Sequence, residues 1–290
     1  MMRRGEKSDV IIYNALMEGY CLEGQMQKAK KVFNYLADNG LKPSVCSYNT
    51  LINGYCKLMK VDEAIDLFME LSHQGLLPDT YTYNSLLKGL LQVGRWDAAD
   101  HVVHEMICSG QNPDFVTYSV LLDGFFKNQK IGKAVELFCL MQNQGMVPDI
   151  PIYIIIIDGL CKAGKIEDAQ RFFNTCLAQG LKPDVKMYTA MISGLCQEAL
   201  LDEAEELFLE MEKDRCPPNS FTYNIIVRAF LAKGARHKVM IFLQEMISRK
   251  FSLDGHTRQM LEDLLRDDVQ DCKMFDMIQK LVLMPTKKEA

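Results

Sequence analysis

The sequence lacks the long apolar runs of a membrane protein and the basic excess that non-specific nucleic-acid binders usually carry. Its longest run of bulky apolar residues, Ile152–Ile157, is far shorter than the roughly 18 to 20 residues that a membrane helix needs. Asp and Glu number 38 against 33 Lys and Arg, so the net charge is −5. We therefore expect no membrane partner, and overall charge does not favour a nucleic-acid partner.

The ten cysteines lack the pattern of a disulfide scaffold or a zinc site. Their density is too low for a disulfide-rich secreted protein, and no signal peptide opens the chain. No C-x-x-C pair occurs either, which argues against zinc. Four of the cysteines recur at one place of a repeat described below. We expect free thiols that mostly pack helices.

Motifs of catalytic sites are also missing. The sequence has no phosphate-binding glycine loop, no nucleophile elbow and no nuclease-like acidic cluster. His101 and His104, next to Glu105, could begin a metal site, but this arrangement recurs in no other repeat. We expect no catalytic residue, no metal and no cofactor, and hence no enzyme.

The sequence does contain an internal repeat of 35 residues. Tyr stands at 13, 48, 83, 118, 153, 188 and 223, Ala at 29, 64, 99, 134, 169 and 204, and Pro at 43, 78, 113, 148, 183 and 218. The predicted repeats span 10–44, 45–79, 80–114, 115–149, 150–184, 185–219 and 220–254. Residues 1–9 align with the tail of a preceding, truncated repeat, and 255–290 are predicted to form a degenerate helical C-terminal cap.

Apolar residues within each repeat follow a helical period. In the second repeat, Tyr48, Leu51, Ile52 and Tyr55 lie at i, i+3, i+4 and i+7, and a second such set begins at Ala64. Each helix is too short to be stable alone, so the pairs must stack to bury their apolar stripes. The pattern predicts an all-α fold, a right-handed α-solenoid of helix-turn-helix repeats.

Two places in the repeat are almost always short and polar. The fifth residue is predicted to open the first helix, and the last residue precedes the next repeat. Helix capping explains both sets in any one repeat, because caps prefer Asn, Ser, Thr and Asp. The variation in identity across seven repeats calls for a further role.

Segments such as Val116-Thr-Tyr-Ser-Val-Leu-Leu-Asp-Gly-Phe and Gly180-Leu-Lys-Pro-Asp184 resemble the pentatricopeptide repeat family of RNA-binding proteins. The even spacing resembles its plain 35-residue subclass, with a plant organellar, fertility-restorer-like character. The resemblance implies a monomer that binds single-stranded RNA in a mitochondrion or plastid. It would act by occupying a transcript, in processing, stability or translation, or by recruiting protein factors. No transit peptide is evident in this chain.

In this family the fifth and last residues of a repeat together read one base. The resemblance implies U for three pairs, which are Asn49 with Asp79, Asn84 with Asp114, and Asn224 with Asp254. It implies C for Asn14 with Ser44, G for Ser119 with Asp149, and A for Thr189 with Asn219. Ile154, at the fifth place of the fifth repeat, has no hydrogen-bonding group, so that repeat should read weakly or not at all. The implied preference is 5′-CUUGNAU-3′.

The family also places the second residue between bases and a basic residue near the phosphates. Ile11, Tyr81, Val116 and Phe221 are the candidates for base stacking, while Pro151 and Lys186 depart from the pattern. Packing at the start of a helix is an equally good interpretation of Tyr81 and Phe221. Lys57, Lys127 and Lys162 share the thirteenth place and are candidate phosphate contacts, or simply solvated helix ends.

Two other interpretations stay open. Ala204-x-x-x-Phe208 matches a feature of tetratricopeptide repeats, so the chain could be a protein-binding helical scaffold. Binding would then survive the combined mutation of Asn49 and Asp79. The chain could also be a truncated, non-functional copy of a longer restorer-like protein.

Overall fold

The computed structural model describes residues 4–267, 277–278 and 280–281, and these contain helices and no strand. The helices are α1 Arg4–Leu22, α2 Met26–Asp38, α3 Val45–Lys57, α4 Val61–His73, α5 Thr80–Gln92, α6 Trp96–Cys108, α7 Phe115–Lys127, α8 Ile131–Asn143, α9 Ile150–Lys162, α10 Ile166–Ala178, α11 Val185–Gln197, α12 Leu201–Lys213, α13 Ser220–Ala232, α14 Arg236–Arg249 and α15 Gly255–Asp267. The predicted all-α repeat fold is confirmed.

The chain forms two compact units, residues 1–146 and 147–290. In the first unit, the first helices of the repeats (α1, α3, α5 and α7) pack side by side, and α2 and α4 each also contact the first helix of the next repeat. In the second unit, α9, α11, α13 and α15 pack in the same way, with α10 and α12 bridging successive repeats. Each unit therefore has two helical layers.

The last residue of a repeat begins the first helix of the next. Ser44, Asp79 and Asp114 in the first unit, and Asp149, Asp184 and Asn219 in the second, are N-caps whose side chains accept the backbone N–H three residues later. The second helices have no such side-chain cap. They follow a tight turn whose central residue is left-handed, as at Gly164 (φ +67°) and Met59 (φ +60°).

The recurring Tyr and Phe form the core between repeats. The Tyr48 ring is buried and packs edge-on against Phe33 of the preceding repeat, and Tyr83 packs the same way against Phe68. The Tyr48 hydroxyl donates to Glu70 Oε1 at 3.0 Å, near the end of the second helix of its own repeat. Tyr48 therefore links its repeat to the preceding one with its ring, and the two helices of its own repeat with its hydroxyl.

A glycine at the tenth place of the repeat lets the first helices approach closely. A Cβ added at Gly89 would lie 2.5 Å from Cys56 Sγ, the residue at the twelfth place of the preceding repeat. The sequence pattern shows both residues as recurring but does not pair them. Burial raises the pKa of the Cys56 thiol to about 12, and that of Cys161 to about 12, which favours the protonated thiol at both positions.

The two ends of the chain differ in how they match expectation. Helix α1 begins at Arg4, so the segment aligned with a repeat tail continues the first helix, whereas the aligned residues 40–44 form a loop. Helix α15 forms the first part of the predicted cap, and Asp254 caps it through the Thr257 N–H at 2.7 Å. Most of the predicted cap beyond Asp267 lies outside the described residues.

Candidate nucleic-acid interface

A pocket of about 350 Å³ lies on the first helices of the first unit. Residues from all three predicted classes line it: the base-reading Asn49 and Asp79, the second-place residues Cys46 and Tyr81, and Lys57. Asn49 is only 6% exposed, whereas Asp79 is exposed at the edge. The fold thus brings together the residues that the sequence predicts to act on one nucleotide.

The side chains of Asn49 and Asp79 are directly hydrogen-bonded. Asn49 Nδ2 donates to Asp79 Oδ1 at 3.1 Å, and the Thr82 hydroxyl lies 2.6 Å from Asn49 Oδ1. Burial pushes the pKa of Asp79 upward, but hydrogen bonds from Thr82 and Asn49 outweigh it and hold that pKa below its usual value. The carboxylate therefore stays charged, and the amide is held in one orientation.

The fifth residues do not cap the first helices, contrary to the interpretation that they open them. Helix α3 begins at Val45, so Asn49 lies one turn inside it, and the cap is Ser44. The capping explanation therefore holds for the last residue of each repeat but not for the fifth. Asn49, Asn84, Thr189 and Asn224 are buried polar residues within helices, which costs free energy unless their side chains find partners.

Repeats 1 and 3 show more open versions of the same pair. Asn84 Nδ2 lies 3.4 Å from Asp114 Oδ1, and Asn84 Oδ1 is buried without a hydrogen-bond partner in the described structure. Asn14 Oδ1 is also buried and unpartnered there, while Ser44 is engaged with Ser47. These carbonyl oxygens can each accept a hydrogen bond from a ligand.

The two predicted residues of repeat 4 lie in different units. In the first unit, the Ser119 hydroxyl donates to the Phe115 carbonyl of its own helix at 2.8 Å. In the second unit, Asp149 is exposed and caps α9 by accepting the Ile152 N–H at 3.1 Å.

Repeats 5 and 6 differ sharply from each other. Ile154 is half-buried and offers no polar atom, and Asp184 is exposed and accepts the Met187 N–H at 2.9 Å. In repeat 6, Thr189 and Asn219 are joined through Thr222, whose hydroxyl lies 2.8 Å from Thr189 Oγ1 and 3.0 Å from Asn219 Oδ1.

Repeat 7 departs from the predicted pairing. Asn224 accepts the backbone N–H of Asp254 at 3.0 Å and donates to two backbone carbonyls, so its amide is occupied. The Asp254 carboxylate is bound instead by Arg228, at 2.5 Å. Burial raises the pKa of Asp254, but bonds from Thr257 and Arg228 lower it overall. Sequence reasoning missed Arg228, which stands at the ninth place of its repeat.

The second-place residues are all exposed. Tyr81 is 53% exposed, and Ile11, Val116 and Phe221 are exposed to a similar extent. Tyr81 and Phe221 thus keep more than half of their surface exposed at the start of the helix. The Tyr81 hydroxyl accepts a hydrogen bond from Asn53 Nδ2 of the preceding repeat at 3.0 Å, which orients the ring at the pocket. The sequence offered no signal for this contact.

The three candidate phosphate contacts are not equivalent. Lys127 pairs with Asp123 at 2.6 Å and Lys162 with Asp158 at 2.5 Å, each one turn back in its own helix. Within the described part of the chain, Lys57 has no ion pair. Because a carboxylate partly neutralises the other two, Lys57 is the strongest candidate for a phosphate.

The negative net charge lies mainly on the second helices. Helix α12 carries six carboxylates against Lys213, and α4 carries four with no Lys or Arg. The first helices α3, α5, α11 and α13 each carry one Lys or Arg and no carboxylate. These four helices are therefore slightly basic, whereas the pocket itself holds the carboxylates of Glu18 and Asp79 beside the ammonium of Lys57.

The described residues contain neither a candidate metal-binding cluster nor a candidate membrane-spanning helix. They hold no group of three or more His, Cys, Asp or Glu side chains placed to bind a metal, and the ring of His104 lies instead beside Cys108, with Nδ1 3.5 Å from Sγ. Within the same residues, no helix combines the length and the apolar character needed to cross a bilayer.

Comparisons with known proteins point to one family. The PPR repeat family model matches residues 8–57, 43–92, 78–127, 148–197 and 183–232, and a second PPR repeat model matches 116–146 and 221–251. No curated protein sequence matches the chain.

Among solved structures, maize PPR10 is 22% identical with a TM-score of 0.62, over 97% of this chain and 46% of that protein. The same protein in complex with an 18-nt psaJ RNA element is 22% identical with a TM-score of 0.58, over 92% of this chain. The chain thus spans about half the length of that protein. The family matches extend over both units, and the chain belongs to the pentatricopeptide repeat family.

Proposed function

We propose that this chain binds single-stranded RNA sequence-specifically and without catalysis, each repeat addressing one base. The observation that carries this proposal is the pocket in which Asn49, Asp79, Cys46, Tyr81 and Lys57 converge. A base entering it would meet hydrogen-bonding groups at its edge, side chains from two successive repeats at its faces, and an ammonium near its phosphate. The maize relative solved with RNA supports the same assignment.

The preference 5′-CUUGNAU-3′ is strongest at the second and third nucleotides. Repeats 2 and 3 both hold an Asn amide against an Asp carboxylate. An amide offers a donor and an acceptor, which suits the Watson–Crick edge of uracil. Repeat 5 has Ile154 and tolerates any base. In repeat 7 the Asn224 amide binds backbone groups and the Asp254 carboxylate binds Arg228, so the two side chains do not pair and the preference for U is the weakest of the three.

The biological role follows from occupancy of a transcript. We propose that the bound chain shields the RNA, opens a hairpin or recruits a protein factor, in a mitochondrion or plastid. Family resemblance supports this part, and expression of the fluorescently tagged chain in plant cells tests its location.

Binding is tested with labelled RNAs at fixed, moderate salt. We expect the purified chain to bind an RNA containing CUUGAAU and to bind the complementary sequence at least about tenfold less well. The double variant Asn49→Ala, Asp79→Ala should lose the preference for U at the second nucleotide and keep the preferences at the others. Equal competition by the complementary RNA would overturn the proposal, and unchanged binding of a protein ligand by the double variant would favour a protein scaffold instead.

A further inference from the structure

Thr82 belongs to repeat 3, yet it is hydrogen-bonded to both base-reading residues of repeat 2. Its hydroxyl lies 2.6 Å from Asn49 Oδ1 and 2.8 Å from Asp79 Oδ1, and it accepts the Asp79 N–H at 3.2 Å. The Thr82 N–H donates to Asp79 Oδ1 at 2.8 Å. A hydroxyl has one proton, so when it is donated to Asn49 the Thr82 N–H still holds Asp79. With the bond between Asn49 and Asp79, these bonds connect the three residues in a ring, and Thr82 is completely buried.

Repeat 6 has the same arrangement with different residues. The Thr222 hydroxyl, from repeat 7, lies between Thr189 and Asn219 at 2.8 and 3.0 Å. In the described structure the two base-reading residues share no direct hydrogen bond. Thr222 is therefore the link between them, and it is completely buried as Thr82 is.

Capping accounts for the bonds between Thr82 and Asp79, which form a capping box, but it does not account for the bonds from Thr82 to Asn49 and from Thr222 to Thr189. Met187 occupies the same third place in repeat 6, has no hydroxyl, and still donates its N–H to the cap Asp184 at 2.9 Å. Ile152 does the same with Asp149 in repeat 5. An apolar residue at this place therefore permits both the cap and the helix. The bonds from Thr82 to Asn49 and from Thr222 to Thr189 go beyond what helix initiation requires.

A held side chain discriminates better than a mobile one. An Asn amide can rotate to exchange its donor and acceptor, and a free one would adapt to either pyrimidine edge. In repeat 2, Asp79 holds the amide nitrogen and Thr82 holds the amide oxygen, so the groups left for a base are fixed before it arrives. Ordering side chains before binding removes that cost from the binding step.

We propose that the third residue of the following repeat is a positioning residue where its hydroxyl reaches the fifth residue, so that Thr82 sets the selectivity of repeat 2 and Thr222 that of repeat 6. The proposal rests on the RNA-binding function proposed above. It makes each of these two sites a three-residue unit built from two successive repeats. Repeat 5, followed by Met187, lacks the third member as well as a polar fifth residue.

The test compares Thr82→Val with Thr82→Ser, because Ser47 stands naturally at this place in repeat 2. Binding is measured to CUUGAAU and to versions with C at the second or at the third nucleotide. We expect Thr82→Val to reduce the preference for U over C at the second nucleotide by about three- to tenfold. The preference at the third nucleotide should stay unchanged, and Thr82→Ser should retain both.

The outcomes separate this inference from the proposed function. A wild-type chain that does not distinguish U from C overturns both. A wild-type chain that does, together with an equally selective Thr82→Val variant, overturns only the role of Thr82, as does an equal loss at both nucleotides. Thr222→Val, read as A over G at the sixth nucleotide, repeats the test in the other unit and covers a failure of the first variant to fold.

Discussion

Repeats 2 and 5 have the same scaffold but different surfaces. Both place a buried Tyr and a buried Phe at the same positions, and their helices are equally long. On its first helix, repeat 2 has Asn49 and a Lys57 that forms no ion pair with any residue that the structure describes, whereas repeat 5 has Ile154 and a Lys162 bound to Asp158. Buried positions thus maintain the stack, while positions at the surface of the first helices vary independently of it.

The largest expected effect is on stability, and it tests whether the buried scaffolds of repeats 2 and 5 are equivalent. Phe68→Ala and Phe173→Ala each leave a cavity between a repeat and the ring of the next Tyr. Each should lower the free energy of unfolding by about 3–5 kcal/mol. Urea unfolding measures both. A large difference between the two variants would contradict the equivalence of the repeats.

Exchanging the fifth residues tests the difference in surface. Asn49→Ile should remove discrimination at the second nucleotide, worth about 1–3 kcal/mol for a two-bond contact. Ile154→Asn should create some discrimination at the fifth. Because each residue is natural at this place in the other repeat, the thermal midpoints should change little. Binding to RNAs randomised at one nucleotide measures the effect, and selectivity that stays with repeat 2 after the exchange would count against the assignment.

The turns between the two helices of a repeat also differ between repeats 2 and 5, with a smaller expected effect on stability. Met59 in repeat 2 is left-handed at φ +60°, where repeat 5 has Gly164 at φ +67°. Met59→Gly should stabilise the chain by about 1 kcal/mol, and Gly164→Ala should destabilise it by about 1 kcal/mol, since a side chain disfavours this conformation. Thermal unfolding checks both signs. A destabilising Met59→Gly would mean that the Met side chain contributes packing that outweighs the strain.

The smallest expected effect is a dependence of stability on pH that arises from Asp79. The pKa of Asp79 is lowered in the folded chain, so its charged form stabilises the fold above the unfolded pKa of about 3.9. That contribution is lost as the pH falls through the lower folded value. The thermal midpoints of the wild type and of Asp79→Asn, which keeps a good N-cap, should therefore converge below about pH 4. A gap that widens on acidification would reverse the sign and contradict the pKa shift.

The repeat could be predicted well because its determinants are local or periodic. Tyr48, Phe68 and the Pro residues recur at one spacing, and helical amphipathicity depends on neighbours three and four residues apart. The error at the fifth residue has a local cause. The last residue of one repeat already caps the helix, which starts four residues before Asn49.

By itself, the sequence determined the period, the helix pairs, the caps and the set of polar residues at the fifth and last places. Only the tertiary structure decided which of these side chains meet. Thr82 reaches Asn49 across 33 residues of chain, and Arg228 binds the carboxylate of Asp254, which was expected to read a base together with Asn224. Such contacts depend on how closely adjacent helices approach. That distance is controlled by close packing such as that of Gly89 against Cys56, and a linear pattern of residue types does not encode it.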